Sequence, residues 1–184
     1  LMFRFARINT PWLKNSFTNW FIAAYEVNLS EAERENVKDY DHFNDFFTRS
    51  LKKSSRPISS SPVISPVDGV VSQAGNIKES EIVQAKGRKY SVSALLDDKS
   101  VDKDYLRSFA TIYLSPKDYH RIHMPCNGDL VSMKYIPGDL FSVNQRTVDG
   151  IDEVFARNER LVCFFNTEFG EMVFVLVGAI FVGS

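Results

Sequence analysis

The chain has 184 residues, of which 44% are hydrophobic, and its 22 basic side chains almost balance its 23 acidic ones. This composition is typical of an ordinary globular domain and excludes intrinsic disorder, a coiled coil and a collagen helix. A chain of this length can bury roughly 70% of the surface that its unfolded state exposes, so its core can be stable without disulfide bonds or metal ions. The net charge of -1 gives no reason to expect a nucleic-acid partner.

No segment has the properties of a membrane span or a secretory signal. The longest uncharged apolar run covers residues 172–182, whereas a helix that crosses a bilayer needs about 20 residues. Near the amino terminus, Arg4, Arg7 and Lys14 interrupt any apolar stretch that could serve as a signal. Because the sequence stops directly after its most apolar run, we expect the chain to be a piece of a longer polypeptide.

The first predicted element is an amphipathic helix from Pro11 to Tyr25. Its apolar residues recur at helical spacing and include Leu13, Phe17, Trp20, Phe21 and Ala24. Residues 1–25 contain three basic side chains and no acid. We expect this helix to dock on an anionic membrane surface. The alternative is that its apolar stripe packs on the β-rich domain, since most amphipathic helices pack on the protein that contains them.

Two further helices are predicted before residue 53. Ser30 and Glu33 have the spacing of a capping box, which predicts that a short helix begins at Ser30. A third helix is predicted from His42 to Leu51, because its apolar residues lie on one face, namely Phe43, Phe46, Phe47 and Leu51.

The pattern changes after this helical part. Residues 54–66 are rich in serine and contain Pro57, Pro62 and Pro66, which is typical of a linker or an extended loop. After it, short β-type runs alternate with Gly, Asn and Pro, interrupted by a helical turn at residues 92–96. We therefore predict an α+β protein with a helical region at 1–53, a linker at 54–66 and a β-rich catalytic domain at 67–184 that is incomplete at its carboxyl end.

Two of the three histidines, His120 and His123, lie close together in the segment Ser115 to Pro125. Ser115 as N-cap, followed by Pro116, predicts a single helical turn, and Pro125 favours an extended residue before it. The two imidazoles therefore lie at a junction between a turn and a strand, where loops often carry functional groups. The alternative is that they are unrelated polar residues on a surface loop.

The same segment also has the spacing of a metal site. His120, His123 and Cys126 have the spacing H-x2-H-x2-C, and zinc accepts both imidazole and thiolate ligands. The proline at position 125 disrupts a regular arrangement of these ligands, and a fourth ligand is not evident, so we expect no metal. The two cysteines of the chain, Cys126 and Cys163, are expected to be reduced and structural.

Asp68 is the third candidate site residue. It precedes Gly69 in a tight turn ahead of a β-type run, and an ordinary Asp-Gly turn is the commoner role of this dipeptide. A catalytic role would require the Asp68 carboxylate to orient an imidazole, as in a Ser-His-Asp arrangement. The spacing in the sequence does not show whether the two groups meet.

Several blocks of this sequence resemble one known family. The blocks are Phe43–Arg49, Arg56–Ile58, Asp68–Gly69, Leu114–Gly128, Pro137–Asn144 and Phe155–Arg160. In this order they are similar to phosphatidylserine decarboxylase of the bacterial, membrane-associated type, and the resemblance covers nearly the whole chain.

The resemblance implies a self-processing enzyme with a covalent pyruvoyl group. In the family, a serine in a Leu-Gly-Ser-Thr-like motif attacks the preceding peptide bond, and the cleaved chain then carries a pyruvoyl cap on its small subunit. This group forms a Schiff base with phosphatidylserine and accepts the electrons left by carbon dioxide, so that phosphatidylethanolamine is made. The chain would then work in phospholipid biosynthesis with phosphatidylserine, an anionic membrane surface and its own small subunit as partners, and as a possible homodimer.

The resemblance also implies roles for the candidate residues. Asp68 and His123 match the aspartate and histidine that activate the serine, and His120 matches the histidine implicated in decarboxylation. Ser184 follows Gly183, but its context resembles an earlier strand of the family, so we expect the pyruvoyl serine downstream of Ser184. The chain alone is then expected to be inactive.

The expected location is peripheral, on the cytoplasmic face of the cell membrane. Two other interpretations remain open from the sequence. One is a peripheral membrane-binding module without catalysis, and the other is a hydrolase that uses Asp68 and His123 with an ordinary serine.

Overall fold

The computed structural model describes residues 2–99, 106–180 and 182–183, and for Met2 and Phe3 it describes only the backbone. The described part divides into two compact units. The first unit contains residues 1–70 and 114–126, and the second contains residues 71–113 and 127–184. The histidine segment therefore belongs to the same unit as the amino-terminal helices.

The helices of the first unit are α1 (Met2–Phe5), α2 (Pro11–Tyr25) and α3 (Phe43–Phe47), with a 3-10 helix at Val37–Asp39. The predicted bounds of α2 are confirmed, whereas α1 was not predicted. Pro11 occupies the first position of α2, where its missing N–H costs nothing. The helix ends at Tyr25 because Glu26 has a left-handed backbone, with φ 55°, and its N–H donates to the Ile22 carbonyl.

The core of the first unit is aromatic. Phe21 is fully buried, and its ring centroid lies 4.9 Å from that of Phe43, 6.2 Å from that of Phe46 and 6.0 Å from that of Phe47. The buried face predicted for the third helix is thus confirmed at three positions. The helix is shorter than predicted, since it ends at Phe47 and the Thr48 hydroxyl donates to the Asn44 carbonyl.

The helix predicted to begin at Ser30 is wrong. Asn28 accepts hydrogen bonds from both the N–H and the hydroxyl of Ser30, so Ser30 does not act as a helix cap. The backbone of the following residues pairs instead with the chain after α3, through an antiparallel bridge between Ala32 and Leu51. Local capping chemistry was overridden here by pairing with a distant segment.

The second unit contains three small sheets. Strands β1 (Val70–Asn76) and β4 (Ser108–Tyr113) pair, β2 (Glu81–Ala85) and β3 (Arg88–Ser91) form a hairpin, and β5 (Gly128–Ile136), β6 (Arg160–Thr167) and β7 (Gly170–Val177) form an antiparallel sheet in that order. The short helices are α4 (Val92–Leu96), α5 (Gln145–Gly150) and α6 (Val154–Arg157). The predicted α+β class and the turn at 92–96 are confirmed, whereas β3, α5 and α6 were not predicted.

Buried groups from several elements hold the second unit together. Its core cluster consists of Ile82, Tyr90, Val92, Leu95, Leu96, Ile136 and Val162. Gln84 is also buried, and its amide donates to the Val148 and Ile151 carbonyls at 2.8 and 2.7 Å while accepting from the Val154 N–H at 3.0 Å. One side chain on β2 therefore fixes the start of α6 and the end of α5.

The predicted linker at 54–66 contains no helix or strand. The division of the sequence into regions at 1–53, 54–66 and 67–184 stays a prediction. Across the described ranges, no helix combines the length and the apolar character that crossing a bilayer requires. Ser184 lies outside the described residues.

Candidate active site

The histidine segment lies against the part of the chain that leads to Asp68. The Ile64 N–H donates to the Pro125 carbonyl at 2.9 Å, and the His123 N–H donates to the Pro66 carbonyl at 2.8 Å. These backbone bonds place His123 beside a residue only two positions before Asp68. The fold thus brings together segments that are more than fifty residues apart in the sequence.

The helical turn predicted at Ser115 is wrong. A tight turn forms instead, in which the Asp118 N–H donates to the Ser115 carbonyl at 2.9 Å. The Asp118 carboxylate accepts from the Ser115 N–H at 2.6 Å and from the Ser115 hydroxyl at 2.8 Å. The serine hydroxyl is therefore a donor to a carboxylate and does not cap a helix.

His120 is held in one tautomer. Its Nδ1 lies 2.8 Å from the Asp118 carbonyl oxygen, and because a carbonyl only accepts, the proton sits on Nδ1. The ring packs on Phe47 with the centroids 4.0 Å apart. Burial lowers the pKa of His120, and the nearby Arg49 charge acts in the same direction. The neutral imidazole is thus favoured, with a lone pair on Nε2.

Three consecutive residues at the end of α3 contact the histidine segment. Phe47 supplies the ring under His120, the Thr48 carbonyl accepts from Arg121 Nε at 2.8 Å, and Arg49 Nη2 donates to the Lys117 carbonyl at 3.0 Å. We call Phe47, Thr48 and Arg49 the clamp. These contacts are not predictable from the sequence, since no local pattern indicates a partner some seventy residues away.

Arg49 is the unusual member of the clamp. Only 3% of its surface is exposed, yet its Nε and Nη1 atoms are buried without a hydrogen-bond partner in the described part of the chain. Burial lowers the pKa of this guanidinium. The free-energy cost of burying the Arg49 charge is offset in part by a cation–π contact with the Phe46 ring, whose centroid lies 5.4 Å from the guanidinium carbon.

His123 and Asp68 have different partners. His123 Nε2 lies 3.2 Å from the Tyr119 hydroxyl, and the two rings are stacked with centroids 5.6 Å apart. The Asp68 carboxylate accepts from Arg56 Nε at 2.9 and 3.0 Å and from Arg56 Nη2 at 2.5 Å. The backbone therefore brings Asp68 and His123 into neighbouring segments, but the structure does not join their side chains.

Arg56 links Asp68 to a second carboxylate. Its Nη2 also donates to Glu31 at 3.0 Å, so one guanidinium bridges two acids. These hydrogen bonds raise the pKa of Arg56, with Asp68 contributing most. Gly69, next to Asp68, has φ 142°, a conformation that L side chains rarely adopt, which explains the glycine at this turn.

The alternative metal site finds no support in the geometry. Within residues 2–99, 106–180 and 182–183, no group of three or more His, Cys, Asp or Glu side chains could hold a metal ion. His120 and His123 each bond to another group, and Cys126 is a free cysteine of intermediate burial.

Comparison with family models identifies the family of the chain. The model described as phosphatidylserine decarboxylase matches residues 43–184, and a second model, described as PSD, matches residues 1–26. The chain belongs to the phosphatidylserine decarboxylase family. This bears out the resemblance seen in the sequence blocks.

Curated relatives of the family are similar over nearly all of the chain. Proteins named phosphatidylserine decarboxylase proenzyme from Pseudomonas fluorescens strain Pf-5, Pseudomonas entomophila and Stutzerimonas stutzeri are 53%, 52% and 49% identical to it. Each alignment covers 97% of this chain but only 64%, 64% and 62% of the relative. The chain therefore spans a little under two thirds of the length of these relatives.

Two blocks that resemble the decarboxylase family meet in the second unit. Asn158 is fully buried, and its Nδ2 donates to the Phe141 and Gly178 carbonyls, both at 2.8 Å, while its Oδ1 accepts from the Phe141 N–H at 3.1 Å. A Cβ atom on Gly138 would lie 2.4 Å from the Arg157 carbonyl oxygen, so only glycine fits there. These family blocks thus form a structural joint.

Proposed function

We propose that the protein to which this chain belongs is a pyruvoyl-dependent carboxy-lyase that converts phosphatidylserine to phosphatidylethanolamine and carbon dioxide. The observation that carries the proposal is the hydrogen bond from His120 Nδ1 to the Asp118 carbonyl, which sets the tautomer of the ring and leaves the lone pair on Nε2. Family membership favours this activity over a hydrolase or a membrane-binding module without catalysis. It also makes phospholipid biosynthesis the process in which the protein works.

The cofactor in this proposal is a pyruvoyl group made from a serine of the longer protein. The word proenzyme in the names of the relatives supports a processing step. When bound, such a group supplies a carbonyl that draws electrons from the substrate. The residues of the site fit it, because the carbonyl oxygens of such a group accept hydrogen bonds, and the Tyr119 hydroxyl and the ring N–H of His123 are donors in the same segment as His120.

His120 is proposed to move one proton twice. Phosphatidylserine arrives with a protonated amine, and the neutral Nε2 of His120 is the base that takes up this proton. Loss of carbon dioxide leaves a carbon that needs one proton, and Nε2 returns the proton it accepted. The lowered pKa of His120 suits both steps, since the resting imidazole is neutral and its protonated form is a stronger acid.

His123 and Asp68 are proposed to act earlier, in self-cleavage of the chain. An imidazole oriented by a carboxylate turns a serine hydroxyl into a nucleophile. For this, the Asp68 carboxylate must exchange its bond to Arg56 for a bond to His123, and His123 must turn from Tyr119. Their backbone proximity through the Pro66 carbonyl supports such an exchange.

The test separates the two histidines in the complete protein. His123→Ala should leave an uncleaved proenzyme on a denaturing gel, while His120→Ala should be cleaved and should decarboxylate phosphatidylserine poorly. Full processing of the His123 variant would reject the assignment. Labelling of the wild-type protein by a serine-directed fluorophosphonate would favour the hydrolase instead.

The second subunit implied by processing is proposed to cover the edge of β5. Among the described strands, β5 pairs on one side only, with β6. It exposes several large side chains, namely Leu130, Val131, Met133 and Tyr135. An apolar strand edge of this kind is a template for pairing with another segment, so the remaining part of the proenzyme is the natural partner.

Membrane docking is proposed through the exposed face of α2. Phe21 is buried in the core, and so it cannot serve as an anchor, whereas Trp12 and Trp20 are 71% and 55% exposed. The exposed residues of this helix include no charged side chain. Tryptophan on an uncharged face is typical of helices that lie at a membrane surface. The proposed location is peripheral, at the cytoplasmic face of the cell membrane.

Trp20→Glu in the complete protein should release it from anionic liposomes without affecting chain cleavage. Arg4 and Arg7 are exposed just before α2, and each basic residue near an anionic leaflet contributes about 1 kcal/mol, so binding should also weaken with salt. If the variant stays bound and unfolds at a lower temperature, Trp20 packs inside the protein and the docking proposal fails.

A further inference from the structure

The first unit contains a cavity of about 820 Å³ at the amino-terminal end of α2. Its volume lies in the range of pockets that hold small ligands. Its lining includes Arg7, Lys14, Lys38 and His42, and the one acidic residue in that lining is Asp41. With the histidine neutral, the lining carries three positive charges and one negative charge, so its electrostatic field favours an anion.

Lys14 gives the cavity a fixed positive charge. Only 7% of its surface is exposed, and its Nζ donates to the Val37 carbonyl at 3.1 Å and the Tyr40 carbonyl at 2.5 Å. An ammonium group has three N–H donors, and in the described structure these two carbonyls use only two of them. No carboxylate of the described residues pairs with Lys14, although a buried charge is costly without a counter-ion.

His42 adds a donor whose orientation is set by the fold. Its Nδ1 accepts the N–H of Asp45 at 3.0 Å, as the cap of α3. The neutral ring therefore carries its proton on Nε2, which can donate to a ligand. His42 is thus a donor even when it is uncharged.

The amino-terminal end of α2 also favours the binding of an anion in the cavity. Thr10, its N-cap residue, makes no side-chain cap bond, and the first turn contains no acid. Helix amino termini without such caps attract anions because their N–H groups point outward and the helix dipole is positive there. Pro11, Lys14 and Asn15 all line the cavity, so this end of the helix borders it.

We propose that this cavity binds a phosphate group, either as an ester in a lipid headgroup or as a soluble phosphate. Phosphate matches the donors because it accepts several charge-assisted hydrogen bonds at once from ammonium, guanidinium and imidazole groups. The inference rests on the residues of the cavity and not on the decarboxylase proposal. The phosphate-binding proposal and the decarboxylase proposal can therefore fail independently of each other.

The test uses the full chain with two double variants of equal charge. Arg7→Gln with Lys38→Gln removes two exposed cations from the cavity. Arg4→Gln with Lys53→Gln removes two exposed cations that do not line it. Neither pair touches the buried Lys14, so both variants should fold.

The first arm is calorimetric titration with inorganic phosphate against chloride at constant ionic strength. The cavity variant should bind phosphate about tenfold more weakly or worse, which corresponds to the loss of about 1.4 kcal/mol. The control variant should change less than about twofold. A saturable signal that both variants lose equally would overturn the proposal, because it would reflect general charge only.

The second arm measures sedimentation with vesicles of an uncharged galactolipid, doped with either phosphatidic acid or palmitate to the same surface charge. If the cavity variant alone loses the preference for phosphatidic acid, the phosphate belongs to a lipid headgroup. Phosphate binding in the first arm without any vesicle preference would identify a soluble phosphate. Absence of both effects would overturn the proposal.

Discussion

Among the described residues, Arg49 and Arg160 are two buried arginines without a carboxylate partner, and they differ in how many hydrogen bonds they make. Arg160 is 5% exposed, and its Nε, Nη1 and Nη2 donate to the carbonyls of Leu95, Asn158 and Ala94 at 2.7, 2.9 and 2.8 Å. Arg49 is 3% exposed and makes one such bond, to Lys117. Replacing each by methionine keeps the apolar stem and removes the charge.

The two replacements should have different costs. A hydrogen bond to a charged group contributes about 1.5–3 kcal/mol, and a buried carbonyl left without a donor costs about 1–3 kcal/mol. Arg160→Met leaves three buried carbonyls without a hydrogen-bond donor and should lower the free energy of unfolding by about 3–5 kcal/mol. Arg49→Met loses one bond but also removes two buried N–H groups that have no partner, so its change should stay within about 1 kcal/mol.

Urea denaturation measures both effects. The two tryptophans, Trp12 and Trp20, both belong to the first unit, so their fluorescence follows the unit that contains Arg49. Circular dichroism reports the secondary structure of both units, so a transition that it shows separately from the fluorescence belongs to the second unit, which contains Arg160. An equal loss for the two variants would refute the reasoning, since it would mean that hydrogen-bond satisfaction does not decide the contribution of a buried arginine here.

The imidazole of His120 should titrate below pH 6.5 by NMR, because burial lowers its pKa. The contribution of His120 to the free energy of unfolding should be complete above about pH 6.5 and should be lost as the pH falls through the folded-state pKa. His120→Gln should flatten this part of the stability curve, and an unchanged slope would contradict the assignment. Gln84→Leu should cost about 3 kcal/mol in urea denaturation, whereas Gln145→Leu on an exposed surface should change stability by less than about 0.5 kcal/mol. Ellman's reagent should modify Cys126 before Cys163, because burial raises the pKa of the Cys163 thiol, and replacing both by serine should leave most of the activity.

The sequence predicted the elements whose signals are local. The helix at Pro11–Tyr25 has apolar spacing and a proline at its first position, and the turn at 92–96 follows a serine that caps it, with Ser91 accepting from the Ala94 N–H at 3.0 Å. Helix α5 has a local N-cap, since the Asn144 side chain accepts from the Thr147 N–H at 3.0 Å, whereas α6 has no side-chain cap, and both helices are too short to show apolar spacing. They depend on contacts such as those of Gln84, which is more than sixty residues away.

The candidate site was predictable in its residues but not in its partners. The crowding of His120 and His123 in one segment is visible in the sequence, and so is the Asp68-Gly69 turn. The clamp at Phe47–Arg49 is not, because its contacts join segments some seventy residues apart. The ion pair between Arg56 and Asp68 was missed for a related reason, since nothing in a serine-rich loop indicates which acid its arginine will bind.

The first unit is assembled from two stretches that are separated by residues 71–113. A ribosome that adds about 5–20 residues per second needs roughly 3–11 s to pass from residue 70 to residue 126. During this interval Phe47 and Arg49 have been synthesised but lack the loop that they grip in the folded chain. The nascent chain therefore exposes an aromatic surface until the histidines emerge, so a chaperone that binds aromatic segments would compete with the histidine loop for the same residues.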